Sequence, residues 1–410
     1  MDILLISRCP PFPLHRGDSL IIYHLAQELA GRYHLIDLLA YYQQPEDLAD
    51  VPRYEHLFRS VQLIAEPRRP LPGLLWRNAR PASRFPARAE ASWSPQMWRA
   101  AARLLETRGC DVAHLFGGVH VYEFRDLVQR VPNLIVPYES YSLWLERAAA
   151  EARGFKARLV TGLQRRLARG FESWMFAGFD RTVVLTDRDA DALRALNPGT
   201  SLTTIPNGVD VDYFIPTGYE SEEPVLLFSG NYDYAPNLDA ALRLARDIFP
   251  RVRARVPAAR LLLVGGNPPP ALLACASKTV AVTGHVPDIR PYFEGALAFV
   301  SPLRLGAGIK NKVLEALAMG VPVVATPLSC DGIPVVPGEH VLFGETDEEL
   351  ASAVLGLLDD QRQRQTLRRA GRQLIEERFT WQRVADQYEA LYGAIIAERR
   401  RRRAHGPRRF

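Results

Sequence analysis

Residues 306–326 read GAGIKNKVLEALAMGVPVVAT. Gly306 and Gly308 come first, then Lys310, Asn311 and Lys312, then Glu315 within one helical turn. Glycines without Cβ let the backbone approach a bulky ligand. A helix starting near Ile309–Asn311 presents unpaired N–H groups and the positive end of its dipole, which favour an anion. Lys310 and Lys312 add charge of the same sign there, at a cost of ~0.3–1 kcal/mol each when exposed. That placement points to a bound anion, most simply a diphosphate. Glu315 lies three residues after Lys312 and four after Asn311, on the same helix face. There its carboxylate can accept hydrogen bonds from ribose hydroxyls. Ile309, Val313, Ala316 and Leu317 supply the opposite, apolar face. The spacing alone equally allows a surface Lys–Glu pair beside a glycine turn.

The elements around this stretch alternate. DILLIS, YHLIDLLAYY, CDVAHLF, NLIVPYES and RTVVLTD have strand character, with helical spacing in LIIYHLAQELAGR and RDADALRAL. Residues 66–95, rich in Pro and Arg, read as an excursion with short helices. Residues 143–177 form a long helical region weakened near Gly154 and Gly162. IPNGVDVDYFIP breaks the pattern. A second set follows: strands PVLLFSG, ARLLLVGG, TVAVTGH, LAFVSP and VPVVAT, with helices NLDAALRLARDIFPRVRAR and DIRPYFEGA. Such alternation predicts parallel sheets covered on both faces. The expected organisation is a first domain over 1–205 and a second over 206–378. A helix over 379–398 crosses back to the first domain, and a mobile basic tail covers 399–410.

The chain of 410 residues is 47% hydrophobic and 24% charged, so packed cores are expected. Its net charge of +5 misleads, because the last 13 residues, ERRRRRAHGPRRF, carry +6. The body is close to neutral, which argues against nucleic acid as a partner. The tail can touch an anionic membrane surface, but a solvated terminus is the preferred reading. Cys9, Cys110, Cys275 and Cys330 are scattered without metal or redox spacing. With no signal peptide or spanning segment in view, a cytoplasmic protein is expected, with room for peripheral contact at the inner membrane face. No ligand cluster suggests a metal, and the lysines stand where other folds place a divalent ion.

The opening stretch resembles the donor-binding segment of family 4 retaining glycosyltransferases with the GT-B fold. SLTTIPNGVDVDYF, LLFSGNYDYAPNLDAALRLARDIFPRV, ARLLLVGGNPPP and VTGHVPDIRPYFEGALAFVSPLRLGAGIKNKVLEALAMG are similar to successive units of that family. The resemblance covers about 180–390 well and the first half chiefly through the glycine loop HRGDS. It implies two Rossmann-like doubly wound domains facing across a cleft. It also implies sugar transfer, with retention, from a nucleoside diphosphate sugar to a glycan or lipid-linked acceptor. Glu315 would bind the donor ribose, and Lys310 and Lys312 the diphosphate, with Gly306, Gly308 and Asn311 beside them. Gly17 would offer backbone from the first domain, Gly230 would sit at the phosphate loop, and Gly284, His285 and Val286 would meet the base. No cofactor is implied.

The chain departs from the family at several positions. Ala307 stands where an acid is common, and Asn231 and Pro236 stand where a phosphate-binding Arg and Lys are expected. Tyr138 and Glu139 occupy the place of a sugar-contacting His. Glu139, at a strand end, is a candidate catalytic group together with Lys310 and Lys312. These departures keep two other functions open: a nucleotide-sugar epimerase or hydrolase using Glu139 and Asp18, and a catalytically silent nucleotide-sugar-binding subunit. His114 and His120 read as hydrogen-bonded structural groups. Residues 151–175 interleave Arg153, Lys156, Arg158, Arg165, Arg166 and Arg169 with apolar residues. A membrane-lying helix fits that pattern. A domain helix with a solvated basic face is preferred, because a core needs such a stripe.

Overall fold

A computed structural model describes residues 1–14, 16–151, 154–219, 221 and 223–404. It divides into two compact units. The first collects Met1–Leu145, Leu159–Pro206 and the chain from Trp381; the second collects Glu146–Arg158 and Asn207–Thr380.

The first unit is built on β1 (Asp2–Ser7), β2 (Leu35–Tyr42), β3 (Ser60–Ala65), β4 (Val112–Phe116), β5 (Asn133–Tyr138), β6 (Arg181–Val184) and β7 (Leu202–Thr204). The sheet order is β3-β2-β1-β4-β5-β6-β7 and every pair is parallel. All five residues of β4 are buried, as are five of six in β1. Continuous apolar runs of this kind suit strands covered on both faces. Strand order reverses at β1/β4, where Ser7 pairs with Phe116. Ligands of such sheets bind outside the strand ends at that switch point.

The second unit holds β8 (Val225–Ser229), β9 (Arg260–Val264), β10 (Val280–Val282), β11 (Ala298–Ser301), β12 (Val323–Ala325) and β13 (Val341–Phe343). Its order is β10-β9-β8-β11-β12-β13, again all parallel. The reversal falls at β8/β11, where Leu227 pairs with Phe299. Carrying that register forward sets Ser229 level with Ser301.

Several details differ from the sequence reading. β3, β7 and β13 are strands that the sequence reading lacks, and none of them carries a continuous buried run. Gly154 separates two helices, Tyr141–Glu151 and Phe155–Met175, but Gly162 sits inside the second without breaking it. The helix expected over 237–255 starts at Ala235 and widens to a π-turn at Leu244–Ile248. Pro250 follows at once and supplies no N–H to the α-helical ladder. The last helix runs Trp381–Ala404, so residues 399–404 are helix and not free tail. Arg399 explains the extension: its guanidinium donates to Asp180 at 2.7 Å and to the Gln129 carbonyl at 2.6 Å. Residues 405–410 lie outside the described residues, as does Arg153. This helix packs Trp381, Val384, Tyr388, Tyr392 and Ile395 into the first unit. Arg32, whose guanidinium meets Asp386 at 2.7 Å, adds an ion pair to that packing.

Candidate functional site

In the second unit, the loop after β11 is fixed before it reaches the glycines. Arg243 donates to the Pro302 carbonyl at 3.0 Å, and Arg304 pairs with Asp239 at 2.7 Å. Gly306 and Gly308 then take φ of 119° and 65°, which L side chains rarely adopt. The helix Asn311–Ala318 follows, with Val313, Ala316 and Leu317 buried on its inner face. Arg147, counted with this unit, donates to the Gly306 carbonyl at 2.6 Å and to Asp331 at 2.8 Å. Nothing in the sequence marked Arg147, since its partners are 159 and 184 residues away.

The two lysines do different things. Lys310 is buried, and its ammonium turns back to donate to the carbonyls of Ala307, at 2.9 Å, and Gly308. It ties the glycine loop together, whereas sequence spacing placed it beside Lys312 on an anion. The physical reason is that a buried ammonium needs acceptors, and the loop carbonyls are within its reach. Lys312 points elsewhere: it donates to Asn237 Oδ1 and lies 4.7 Å from the centre of the Phe228 ring. A Cβ on Gly230 would sit 2.7 Å from the Lys312 ammonium. The Lys312 cation therefore lies at the end of β8, in the loop where Asn231 and Pro236 left the sequence without charge. Asn237 is a site residue that sequence reasoning missed; its amide also donates to the Asn231 carbonyl at 2.8 Å.

Glu315 is half-buried one turn further along. Burial raises its carboxyl to about 7 against the pull of Lys312. Burial lowers the Lys312 ammonium to about 7, with Glu315 opposing and Lys310 adding to the shift. Asn311 accepts a hydrogen bond from Asn207 at 2.8 Å, which ties the helix start to the Asn-Gly turn.

The neighbouring strand ends complete one edge. A Cβ on Gly265, after β9, would lie 1.9 Å from the Gly230 carbonyl oxygen, and its φ is 147°. Gly265 N–H donates to the Gly284 carbonyl at 3.2 Å. Gly284, His285 and Val286 thus follow β10 on the same edge as Gly230, with His285 exposed. Gly230, Gly265, Gly284 and the Gly306–Glu315 stretch gather around the β8/β11 switch point. A crevice lined by Met319, Gly320, Arg368 and Arg372 lies past the other end of the helix and holds none of these residues.

In the first unit, Gly17 opens the helix Gly17–Gly31 after β1. Arg8, unremarked in the sequence, pairs with Asp18 at 3.2 Å. Gly117, with φ of 124°, leaves room for it: a Cβ there would meet the Arg8 Cβ at 2.5 Å. Burial raises the Asp18 carboxyl, with Arg8 and Arg16 opposing. Tyr138 ends β5 at φ of 72°, a strained conformation for a side chain of this size. Its hydroxyl is buried with no hydrogen-bond partner among the described residues. Glu139 follows, half-buried. The neighbouring Glu172 accepts from the Tyr141 N–H at 2.7 Å and the Ser142 N–H at 3.2 Å, which caps the helix Tyr141–Glu151. His114 is fully buried within β4, bonded to the Tyr392 hydroxyl at 2.6 Å, and burial lowers it to about 3. His120 donates to the Gly117 carbonyl at 3.1 Å, and burial lowers it to about 4.

Among the described residues no group of three His, Cys, Asp or Glu side chains is placed to hold a metal. No helix there is long and apolar enough to cross a membrane.

Residues 17–213 match the model for Glycosyltransferase Family 4, and residues 223–360 match that for Glycosyl transferases group 1. The chain is 29% identical over 212 residues to a phosphatidyl-myo-inositol mannosyltransferase of Mycobacterium tuberculosis, a match over 48% of this chain and 55% of that protein. It thus spans about half the length of that relative. It is 25% identical over 425 residues to a glycogen synthase of the same species, covering 100% of this chain and 97% of the other. Among solved structures, a sucrose-phosphate synthase from Thermosynechococcus elongatus superposes with a TM-score of 0.73 at 21% identity, over 97% of this chain and 99% of that one. The Anabaena protein HepE, solved in complex with UDP, gives 0.64 at 14% identity over 96% of this chain and 100% of that one.

Proposed function

Since the chain belongs to the family 4 glycosyltransferases and has their GT-B fold, we propose that it transfers a sugar from a nucleoside diphosphate sugar to an acceptor hydroxyl, with retention at the anomeric carbon. The acceptor is a glycan or a lipid-linked glycan. The observation that carries this reading is the Lys312 ammonium seated against Gly230, with Glu315 one helical turn away. As the bond to the sugar breaks, negative charge grows on the diphosphate. A cation fixed in advance at that point stabilises the transition state more than the ground state. The first N–H groups of the helix Asn311–Ala318 add to it. Glu315 accepts from the ribose hydroxyls, and the main chain of Gly284–Val286 meets the base. Lys310 holds the glycine loop in shape. In the first unit, Arg8, Asp18 and Tyr138 lie together past the ends of β1 and β5 and are the candidates for binding the acceptor. No metal takes part, since Lys312 supplies the charge.

The loss of charge at Asn231 and Pro236 favoured a silent binding subunit. The reach of Lys312 into that loop removes this ground and supports an active enzyme. The test starts from a thermal-shift panel of nucleoside diphosphate sugars, in which the preferred donor raises the melting temperature. That donor is then incubated with and without acceptor extracts. Turnover that requires acceptor supports transfer. Isomerised or hydrolysed donor without acceptor would replace it with epimerase or hydrolase chemistry, and stabilisation without any product with a binding subunit.

A further inference from the structure

The structural role that the sequence suggests for His120 accounts for only one of its two ring nitrogens. Nδ1 lies 3.1 Å from the Gly117 carbonyl oxygen, so it carries the proton and donates. Burial, with Arg8 and Arg69 adding to it, lowers the ring to about 4 against the pull of Glu66, so the ring is neutral at physiological pH. In a neutral ring that donates from Nδ1, Nε2 is an acceptor. It stands 3.4 Å from Glu66 Oε1, which is an acceptor as well. Glu66 is held in place by Gln43, which donates at 2.6 Å, and by Arg69, which donates at 2.8 Å. Two acceptors side by side call for a donor from outside the chain.

Tyr138 is short of a partner in the same way. It is 8% exposed, and its hydroxyl has no hydrogen-bond partner among the described residues. A buried hydroxyl left like this is costly. Gly118 sets the ends of β4 and β5 against each other: a Cβ there would lie 3.5 Å from Pro137 Cα, next to Tyr138. The Arg8 side chain crosses Gly117 and acts on both His120 and Tyr138. All of these residues belong to the first unit. The cations around them are already matched. Arg8 pairs with Asp18 at 3.2 Å, Arg16 with Asp47 at 3.6 Å and Arg69 with Glu66 at 2.8 Å.

We propose that His120 Nε2 and Tyr138 Oη bind hydroxyls of an uncharged sugar ring, which is the acceptor end in the transfer reaction. This rests on the transferase reading above and narrows its acceptor class. A sugar hydroxyl both donates and accepts. One hydroxyl donates to Nε2 beside Glu66, and another pairs with the Tyr138 hydroxyl. An ionised phosphate or carboxylate is the wrong ligand. It has no proton for Nε2, it would face Glu66 and Asp18, and each guanidinium near it already holds a carboxylate.

The experiment is saturation-transfer NMR titration of the full chain with methyl α-glucoside, methyl α-mannoside and methyl α-galactoside, and with the 6-phosphate of each, with no sugar donor present. The parent should bind at least one glycoside, and its 6-phosphate about tenfold or more weakly. Tyr138→Phe removes only the hydroxyl. It should weaken that glycoside about tenfold while the melting temperature holds or rises, because a buried unsatisfied group has gone. A hydroxyl with a merely structural role would lower the melting temperature instead. His120→Asn keeps a donor for the Gly117 carbonyl but has no acceptor at the Nε2 position, and should also lose about tenfold. His120→Gln, whose amide oxygen reaches that position, should recover most of the loss. A parent that binds none of the glycosides or prefers the phosphates, or Phe and Asn variants that bind like the parent, would overturn the proposal. Turnover on a phosphorylated sugar alone would overturn it and leave the transferase reading standing. Glycoside binding through His120 and Tyr138 without acceptor-dependent turnover would support the site and remove the transferase reading.

Discussion

Replacing Lys312 with Met keeps an unbranched side chain one atom shorter and removes its charge. Lys312 sits between Asn237 Oδ1, the Phe228 ring and Gly230, so Met can fill the space without opening a cavity. A charge-assisted contact is worth ~1.5–3 kcal/mol, and losing it from the transition state slows turnover by about ten- to more than a hundredfold. A second effect adds to this. Lys312 holds the raised Glu315 carboxyl down, so its removal leaves Glu315 more protonated at neutral pH and a poorer ribose acceptor. The loss should therefore appear in kcat and, to a smaller extent, in donor affinity. Gly230→Ala provides an independent route to the same end. Its Cβ would lie 2.7 Å from both the Lys312 ammonium and the Asn237 amide nitrogen, so the cation and the side chain that holds it must shift together. Kinetics with the preferred donor, and calorimetry with the same donor, should show both variants folded and slow. If Lys312→Met and Gly230→Ala turn over like the parent, the cation at the end of β8 does not act on the diphosphate, and the donor-site reasoning is wrong.

Donor affinity should peak near pH 7 and fall on either side. Above it Lys312 loses its proton and below it Glu315 gains one, each from about 7, with up to tenfold loss per pH unit; a nucleoside diphosphate sugar titrated calorimetrically from acid to alkaline pH would give a flat profile if the pair were not in the site. Lys310→Met should act on stability first, lowering the melting temperature through a loop whose Ala307 and Gly308 carbonyls lose their donor, and a variant with parental stability but no turnover would instead place Lys310 on the substrate. Gly265→Ala should yield little folded protein, because its Cβ would meet the Gly230 carbonyl oxygen at 1.9 Å, and normal expression and melting would contradict that packing. Turnover should survive a strong chelator, and a complete loss restored by manganese or magnesium would defeat the metal-free mechanism.

The stretch from Gly306 to Glu315 was legible because its chemistry is local. Positive φ at glycine, a helix start and the three-residue step from Lys312 to Glu315 are all set by neighbours in the chain. The two sheets were legible for a related reason: strands buried on both faces must be written as apolar runs, and β1, β4, β8 and β11 are. The edge strands β3, β7 and β13 were not, since β3 buries one residue of six, β13 one of three and β7 none, and strands so little buried carry little such constraint. What each lysine does was beyond sequence reasoning. Two ammonium groups two residues apart look equivalent in a string. Which of them finds its own loop carbonyls, and which crosses to Asn237, 75 residues away, depends on where β8 ends relative to β11. Likewise the glycine after β9 is required only because Gly230 passes beneath it, and the basic helix is bare in its first turns only because the core stops before them. By itself the sequence determined the elements, their alternation and the family-like order of motifs, since these rest on periodicity and on nearby residues. Only the tertiary structure decided which distant groups meet and which apolar residues stay in water, because contacts between remote segments follow from packing, which no local pattern encodes.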